Sequence, residues 1–326
     1  MNDTERFFRN KAQFVRSAHL MGLSDRASKD GDTEGAFRLA AKALSVDPTA
    51  SKVDWLMLTE NPREFVPRRD IFTLVNLRLD DLRERASSTA SGQSVSTRPS
   101  VFVYWGQGFS SAPPIVQKCF ARAESVVSSQ DLVALDDSNI GDWIDIPEVI
   151  ESCRSKSYAA YSDYIRFALL SRYGGIWLDA TCYCMSNPLD YFDELVGSSG
   201  FFAFDKKQPG VISSWFLASA SNNYIAEINR LAQVLYWSVF DDVITYFFAH
   251  QIFRTIYRLD TSFANLWDDR FRYSGNPRLV HRSLKVRVSD NDFESRLNSS
   301  FVHKLTYKLE PESLECDSGY HRVMSI

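Results

Sequence analysis

The amino-acid sequence predicts an α/β domain preceded by a small all-helical region. A buried-strand signature at residues 101–105 (VFVYW) opens an alternation of short apolar runs and helical segments, the rhythm of a parallel sheet covered by helices. Ahead of it, residues 86–100 (ASSTASGQSVSTRPS) hold eight Ser or Thr and a Pro, the composition of a linker. Before the linker, apolar residues recur at helical spacing. These boundaries divide the chain into a helical cap over 1–86, a Ser-rich linker over 87–100 and an α/β domain over 101–326.

Composition bounds the function. The 326 residues are 44% apolar and 24% charged, enough to bury a sizeable core. The formal charge of −4 argues against nucleic acid as a partner, since such proteins carry a basic excess. No apolar run approaches the roughly 20 residues of a spanning helix, and the opening MNDTERFFRNK lacks the apolar core of a secretory leader. Five cysteines without paired spacings suit a reducing compartment. A cytoplasmic protein is expected, at the inner face of a membrane if the basic, apolar-faced helix over residues 7–23, with Arg6, Arg9, Lys11 and Arg16 within or beside it, makes a peripheral contact.

In the cap, residues 31–48 (GDTEGAFRLAAKALSVDP) look like half of a tetratricopeptide unit. A single unit cannot build such an array, so a helix packed on the main domain is the simpler expectation. Asp70 could cap a further helix with Ile71, Val75, Leu79 and Leu82 on one face. After the strand at 101–105, residues 113–123 read as a helix with Pro in its first turn. The runs 125–127 and 132–135 supply at least one strand. Residues 156–173 form the next helix, stopped by Gly174-Gly175, because glycine accepts the left-handed conformation of a helix end. Residues 176–178 (IWL) are a short buried strand with Asp179 at its end. Residues 213–259 read as mostly helical, and the last 45 residues are mixed.

Chemistry concentrates at residues 162–181, SDYIRFALLSRYGGIWLDAT. Asp163 and Arg166 lie three apart on a helix and share a face. The glycine pair turns the chain into the strand that delivers Asp179 to the sheet edge, where ligands of open α/β sheets gather. A carboxylate there suits a divalent cation shared with phosphates. The same spacing also suits a plain ion pair and a turn-capping Asp.

This stretch resembles the capsular polysaccharide synthesis protein family, related to glycosyltransferase family 32. The family carries Ser-Asp-x-x-Arg, then Tyr-Gly-Gly-x-x-x-Asp, ending in Asp-x-Asp or Asp-Ala-Thr. The matching residues are Ser162, Asp163, Arg166, Tyr173, Gly174, Gly175, Asp179, Ala180 and Thr181. Residues 103–108 (VYWGQG), 135–137 (LDD) and 146–150 (IPEVI) agree in order, and 304–308 (KLTYK) is a weaker echo.

The resemblance implies a GT-A type nucleotide-diphospho-sugar transferase domain, a hexosyltransferase using a nucleotide-diphosphate sugar, UDP-sugar favoured, and a glycan acceptor. It implies retention of anomeric configuration. It assigns catalysis to Asp163, Arg166 and Asp179. Tyr104, Trp105, Gly106, Asp163, Arg166, Gly174 and Gly175 would bind the donor, and Asp179 and Thr181 would hold Mn2+ or Mg2+. Thr181 stands where the wider family has a second Asp. A hydroxyl is a weaker, neutral ligand, so a further one is expected among His250, Asp268, Asp269 and His303, which spacing does not separate.

Other signals are weaker. Gly106-Gln107-Gly108 lacks the third glycine of a dinucleotide loop, Ser111 standing there. Cys182-x-Cys184 is too closely spaced for a usual zinc knuckle and reads as buried thiols. Trp215, Phe216, Tyr236, Trp237, Tyr246 and Phe247 suit a hydrophobic core better than a sugar-stacking platform. Two rival functions remain at the level of sequence: a protein-modifying glycosyltransferase, and a helical adaptor whose transferase domain is inert.

Overall fold

The structure is a computed structural model that describes residues 69–91, 98–205, 210–240 and 247–326. The segments 7–23 and 31–48 and Tyr246 lie outside the described residues. The chain is of mixed α/β architecture.

Helices α1 (Arg69–Leu77) and α2 (Leu79–Ala90) come first. The helix expected from Asp70 is thus broken at Arg78, whose φ of −121° and ψ of 13° leave the helical region. Residues 87–90 of the Ser-rich stretch form the last turn of α2. Ile71, Val75, Leu82 and Ala86 are buried in the same core that covers one face of the sheet. Arg83 ties α2 to the main domain, its Nε 3.2 Å from the buried Asp260 carboxylate.

Five strands form the main sheet among the described residues: β1 (Val101–Tyr104), β2 (Leu132–Leu135), β3 (Gly175–Asp179), β5 (Phe201–Asp205) and β6 (Ile212–Ser219), in the order β2-β1-β3-β6-β5. β1 pairs parallel with both β2 and β3. β6 pairs antiparallel with β3 and with β5. The parallel sheet expected from sequence therefore holds for three strands, and the other two run against it. The helical reading of 213–259 is corrected at its start. Residues 212–219 (ISSWFLAS) are a strand buried along its whole length, and a strand covered on both faces loses the alternation that would betray it.

The sheet separates two cores. Along β1, Phe102 and Tyr104 face one layer, Val101 and Val103 the other. On β3, Trp177 faces the first layer, Ile176 and Leu178 the second. Successive side chains of a strand point to opposite faces, so VFVYW and GIWLD need apolar residues at nearly every position. Helix α3 (Pro114–Val126) covers the second layer. The first is covered by α4 (Tyr158–Tyr173), α5 (Tyr224–Trp237) and α6 (Phe248–Leu259). Trp215, Phe216, Tyr236 and Trp237 are core residues, as the simpler reading had it, whereas Phe247 is exposed.

A second, two-stranded sheet pairs β4 (Cys182–Cys184) antiparallel with β7 (Val302–Lys304), with Cys182 opposite Lys304. Cys182 and Cys184 are buried free thiols. No described helix is long and apolar enough to cross a membrane.

Gly174 and Gly175 join α4 to β3 with φ of +68° and +88°. A Cβ on Gly175 would lie 2.3 Å from the Ser100 carbonyl oxygen. Gly175→Ala therefore combines a disfavoured backbone region with a backbone clash, and it is expected to lower stability by at least about 1–3 kcal/mol, read as a lower urea midpoint.

Candidate active site

A cleft of about 470 Å³ opens beside the carboxyl ends of β1 and β3. Its lining comes from the β1 end (Tyr104, Trp105, Gly106), from α4 (Ser162, Asp163, Arg166), from the β3 end (Asp179, Thr181) and from the chain after β7 (Tyr307, Lys308). Lys304, Tyr158, Trp177, Ser214 and His250 complete the polar and aromatic wall.

Helix α4 begins at Ser157, whose side chain accepts from the Ala160 backbone N–H. One turn on, Asp163 and Arg166 face the cleft together, each side chain only 8% exposed. Arg166 Nη1 stands 3.2 Å from Asp163 Oδ1 and donates to the Ser214 carbonyl at 2.7 Å. Its Nη2 reaches toward Asp179 Oδ1 at 3.6 Å and donates to Ser162 Oγ at 3.3 Å. The guanidinium also lies over the Trp177 ring, 5.1 Å from its centroid. Arg166 thus locks helix to sheet with its planar fork, which a lysine cannot reproduce.

The two carboxylates have different electrostatics. Burial pushes Asp163 up to about 6, against the pull of Arg166 and with a further push from the Asp179 charge. Burial acts on Asp179 in the same direction, but Lys304 and Arg166 and the hydrogen bonds from Lys304 and Trp177 outweigh it and hold Asp179 below the usual carboxylate range. Asp179 is therefore the permanent anion of the cleft.

Lys304 joins this group from outside the motif at residues 162–181. Its Nζ donates to Asp179 Oδ2 at 2.6 Å and to Thr181 Oγ1 at 2.7 Å. The other Asp179 oxygen, Oδ1, accepts from Trp177 Nε1 at 2.9 Å. The β4–β7 register places Lys304 beside the segment that follows β3, and Leu305 N donates to the Thr181 carbonyl at 2.8 Å. The only signal in the sequence was the weak echo at 304–308. It named no partner, because Lys304 and Asp179 are 125 positions apart.

At the β1 end, the Tyr104 hydroxyl donates to the Asp137 carboxylate and lies 2.7 Å from the Tyr158 hydroxyl. Burial and the Asp137 carboxylate push Tyr104 far above its ordinary value, so it stays protonated. Arg154 pairs with Asp137 from the other side. A Cβ on Gly106 would sit 1.4 Å from the Tyr158 hydroxyl oxygen, so only glycine permits this approach. Trp105 meets Tyr307 edge to face at 5.3 Å.

The structure thus brings together Tyr104, Trp105, Gly106, Asp163, Arg166, Asp179 and Thr181. It does not bring Gly174 and Gly175. They sit at the opposite end of β3, against Ser219–Ser221 and Ser100, away from the cleft lining, where close backbone packing requires them. Of the four candidate further ligands, only His250 lines the cleft. His303 is fully buried, with Nε2 2.7 Å from the Leu297 carbonyl. Asp268 and Asp269 accept from the Tyr257 and Ser198 hydroxyls.

The donor set does not fit the expected Mn2+ or Mg2+. Such a cation needs oxygen ligands with lone pairs turned to it. Asp179 Oδ2 and Thr181 Oγ1 are turned to the Lys304 ammonium instead, and Arg166 stands on the far side of the same carboxylate. A dication bridging these two oxygens would meet the ammonium head-on. Among the described residues, no three His, Cys, Asp or Glu converge as a metal-binding group.

A family model described as capsular polysaccharide synthesis protein matches residues 61–323. No curated protein matches the chain, and no solved structure matches it.

The raised Asp163 has a pH signature. An acid whose folded pKa exceeds its unfolded value binds its proton more tightly when folded, so its contribution to stability is largest in acid and is lost as pH rises from the ordinary 3.8 through about 6. Asp179, shifted the other way, does not titrate in that window. The stability of the wild type relative to Asp163→Asn is expected to fall across this range, by up to roughly 1.4 kcal/mol per pH unit, in urea unfolding from pH 4 to 7.

Proposed function

Because the chain belongs to the capsular polysaccharide synthesis protein family, we propose that it is a glycosyltransferase, moving a sugar from a nucleotide-diphosphate sugar, UDP-sugar favoured, to a glycan acceptor of a capsular or other surface polysaccharide. The α/β domain is then of the GT-A type. The observation that carries this reading is the buried Asp163–Arg166–Asp179 cluster, set beside the carboxyl ends of the parallel strands and flanked by lysines and aromatic rings.

In this reading the base and ribose lie along the wall of Tyr104, Trp105 and Tyr307, and the diphosphate lies toward Arg166, Lys304 and Lys308. The acceptor hydroxyl oxygen forms a bond to the anomeric carbon. The bond from that carbon to the β-phosphate oxygen breaks, its electron pair stays with the phosphate, and the acceptor's proton goes to the departing diphosphate. Charge develops in two places: positive on the sugar ring, negative on the leaving group. Cations already held in place stabilise the leaving group without reorganisation. Asp163 accepts hydrogen bonds from hydroxyl groups of the donor sugar and so holds the ring, and holding the reactants in line supplies much of the rate.

Arg166→Lys keeps a charge but loses the fork that spans Asp163, Asp179 and the Ser214 carbonyl. It is expected to lower kcat about 100-fold, as is Asp163→Asn, with folding checked by circular dichroism. The assay follows release of nucleoside diphosphate and arrival of labelled sugar in glycan. Undiminished transfer by both variants overturns the reading.

A further inference from the structure

We infer that the Lys304 ammonium takes the place of a divalent cation at the diphosphate subsite, so that donor binding and leaving-group stabilisation are independent of metal. This rests on the glycosyltransferase reading and specifies its charge chemistry.

Three observations carry it. The ammonium bridges Asp179 Oδ2 and Thr181 Oγ1 at 2.6 and 2.7 Å, the two oxygens that a shared cation would otherwise use. An ammonium has three donors. Two are taken here, and the third has no protein partner among the described residues, which leaves it for a ligand oxygen. Thr181 belongs to this arrangement: its neutral hydroxyl accepts from Lys304 and leaves Asp179 as the carboxylate balancing the ammonium. A second carboxylate at position 181 would cancel the positive charge that a diphosphate needs.

Lys304 is also rigidly placed. Its backbone N–H donates to the Pro277 carbonyl at 2.9 Å, and its side chain is only 17% exposed. With Arg166 on the opposite side of Asp179, two fixed cations flank one carboxylate. Oxygens of the departing β-phosphate can take the remaining Lys304 donor as the bond to the anomeric carbon breaks and the electron pair settles on the phosphate. The lysine stays protonated throughout, so no proton acceptor is required of the protein at this point.

The experiment is calorimetric titration of the full chain with UDP, GDP and their hexose esters, in EDTA and again in millimolar Mn2+ or Mg2+, followed by transfer assays in the same buffers. The expected result is tight binding of one nucleotide series in EDTA, changed less than about threefold by metal, and transfer that resists EDTA. Lys304→Met is expected to weaken nucleoside-diphosphate binding roughly tenfold to a hundredfold, the span of a charge-assisted hydrogen bond. Lys304→Met combined with Asp179→Asn relieves the stranded carboxylate, and it should recover at most part of the lost affinity. Recovery of wild-type affinity in the double variant would show that Lys304 merely neutralises Asp179, and it overturns the proposal. Binding by the wild type that requires Mn2+ or Mg2+ also overturns it while leaving the glycosyltransferase reading intact. No binding of any nucleotide in either buffer removes that reading and this proposal together. Should Lys304→Met fail to fold, the comparison of the wild type in EDTA and in metal decides alone.

Discussion

Everything around the cleft is organised by one carboxylate held between two cations. Asp179 ends the central strand β3, with Arg166 of helix α4 on one side and Lys304 of strand β7 on the other. A helix and the strand that directly follows it meet there with a residue of strand β7, which reaches them from far along the chain by pairing with β4. Ion groups of this kind are not assembled cheaply, because charges removed from water lose hydration that pairing restores only with good geometry and full hydrogen bonding. Here the bonding is nearly complete. Trp177 and Lys304 donate to the two oxygens of Asp179, and Arg166 is further held by Ser162 and the Ser214 carbonyl. A network this closely satisfied leaves little freedom for any member to shift.

The sheet provides the platform for that geometry. Strands β1 and β3 are buried on both faces, so their apolar side chains anchor them in two cores at once, and their ends cannot drift relative to each other. β1 delivers Tyr104 and Trp105, and β3 delivers Asp179, in register across the pair: Tyr104 lies opposite Asp179. Glycines serve this frame in two distinct ways. Gly106 lets the Tyr158 hydroxyl approach the end of β1, inside the cleft. Gly174 and Gly175 let the chain turn tightly from α4 into β3, outside it.

The contrast between Asp163 and Asp179 shows how position alone separates two identical side chains. Both are close to Arg166. Asp163 lies deeper, where burial dominates and raises its affinity for a proton. Asp179 has a second cation and two good donors, and these hold it ionised. Lys304 also differs in kind from a bound metal. It carries one charge on a flexible stem, and its value here comes from the strand register and from Asp179 and Thr181, which hold the ammonium in place.

Much was legible in the sequence because it is written locally. The helix with Asp163 and Arg166 on one face, the glycine stop, the buried strand and Asp179 at its end follow from spacing, from backbone stereochemistry and from apolar runs. The grouping of Tyr104, Trp105, Asp163, Arg166 and Asp179 rested on the resemblance carried by residues 162–181. Other features were not written locally. Strand β6 carries no alternation because it is covered on both sides. Gly174 and Gly175 lie away from the cleft because one strand carries residues a few positions apart to opposite ends of the sheet. Lys304 was invisible because its role depends on the antiparallel pairing of β7 with β4. Local spacing settles where helix α4 stops, that β3 follows it and that Asp163 and Arg166 share a face, since these depend on neighbours within a few residues. The meeting of Asp179 with Lys304, by contrast, belongs to the fold, because strand pairing and core packing bring them together across 125 positions of chain.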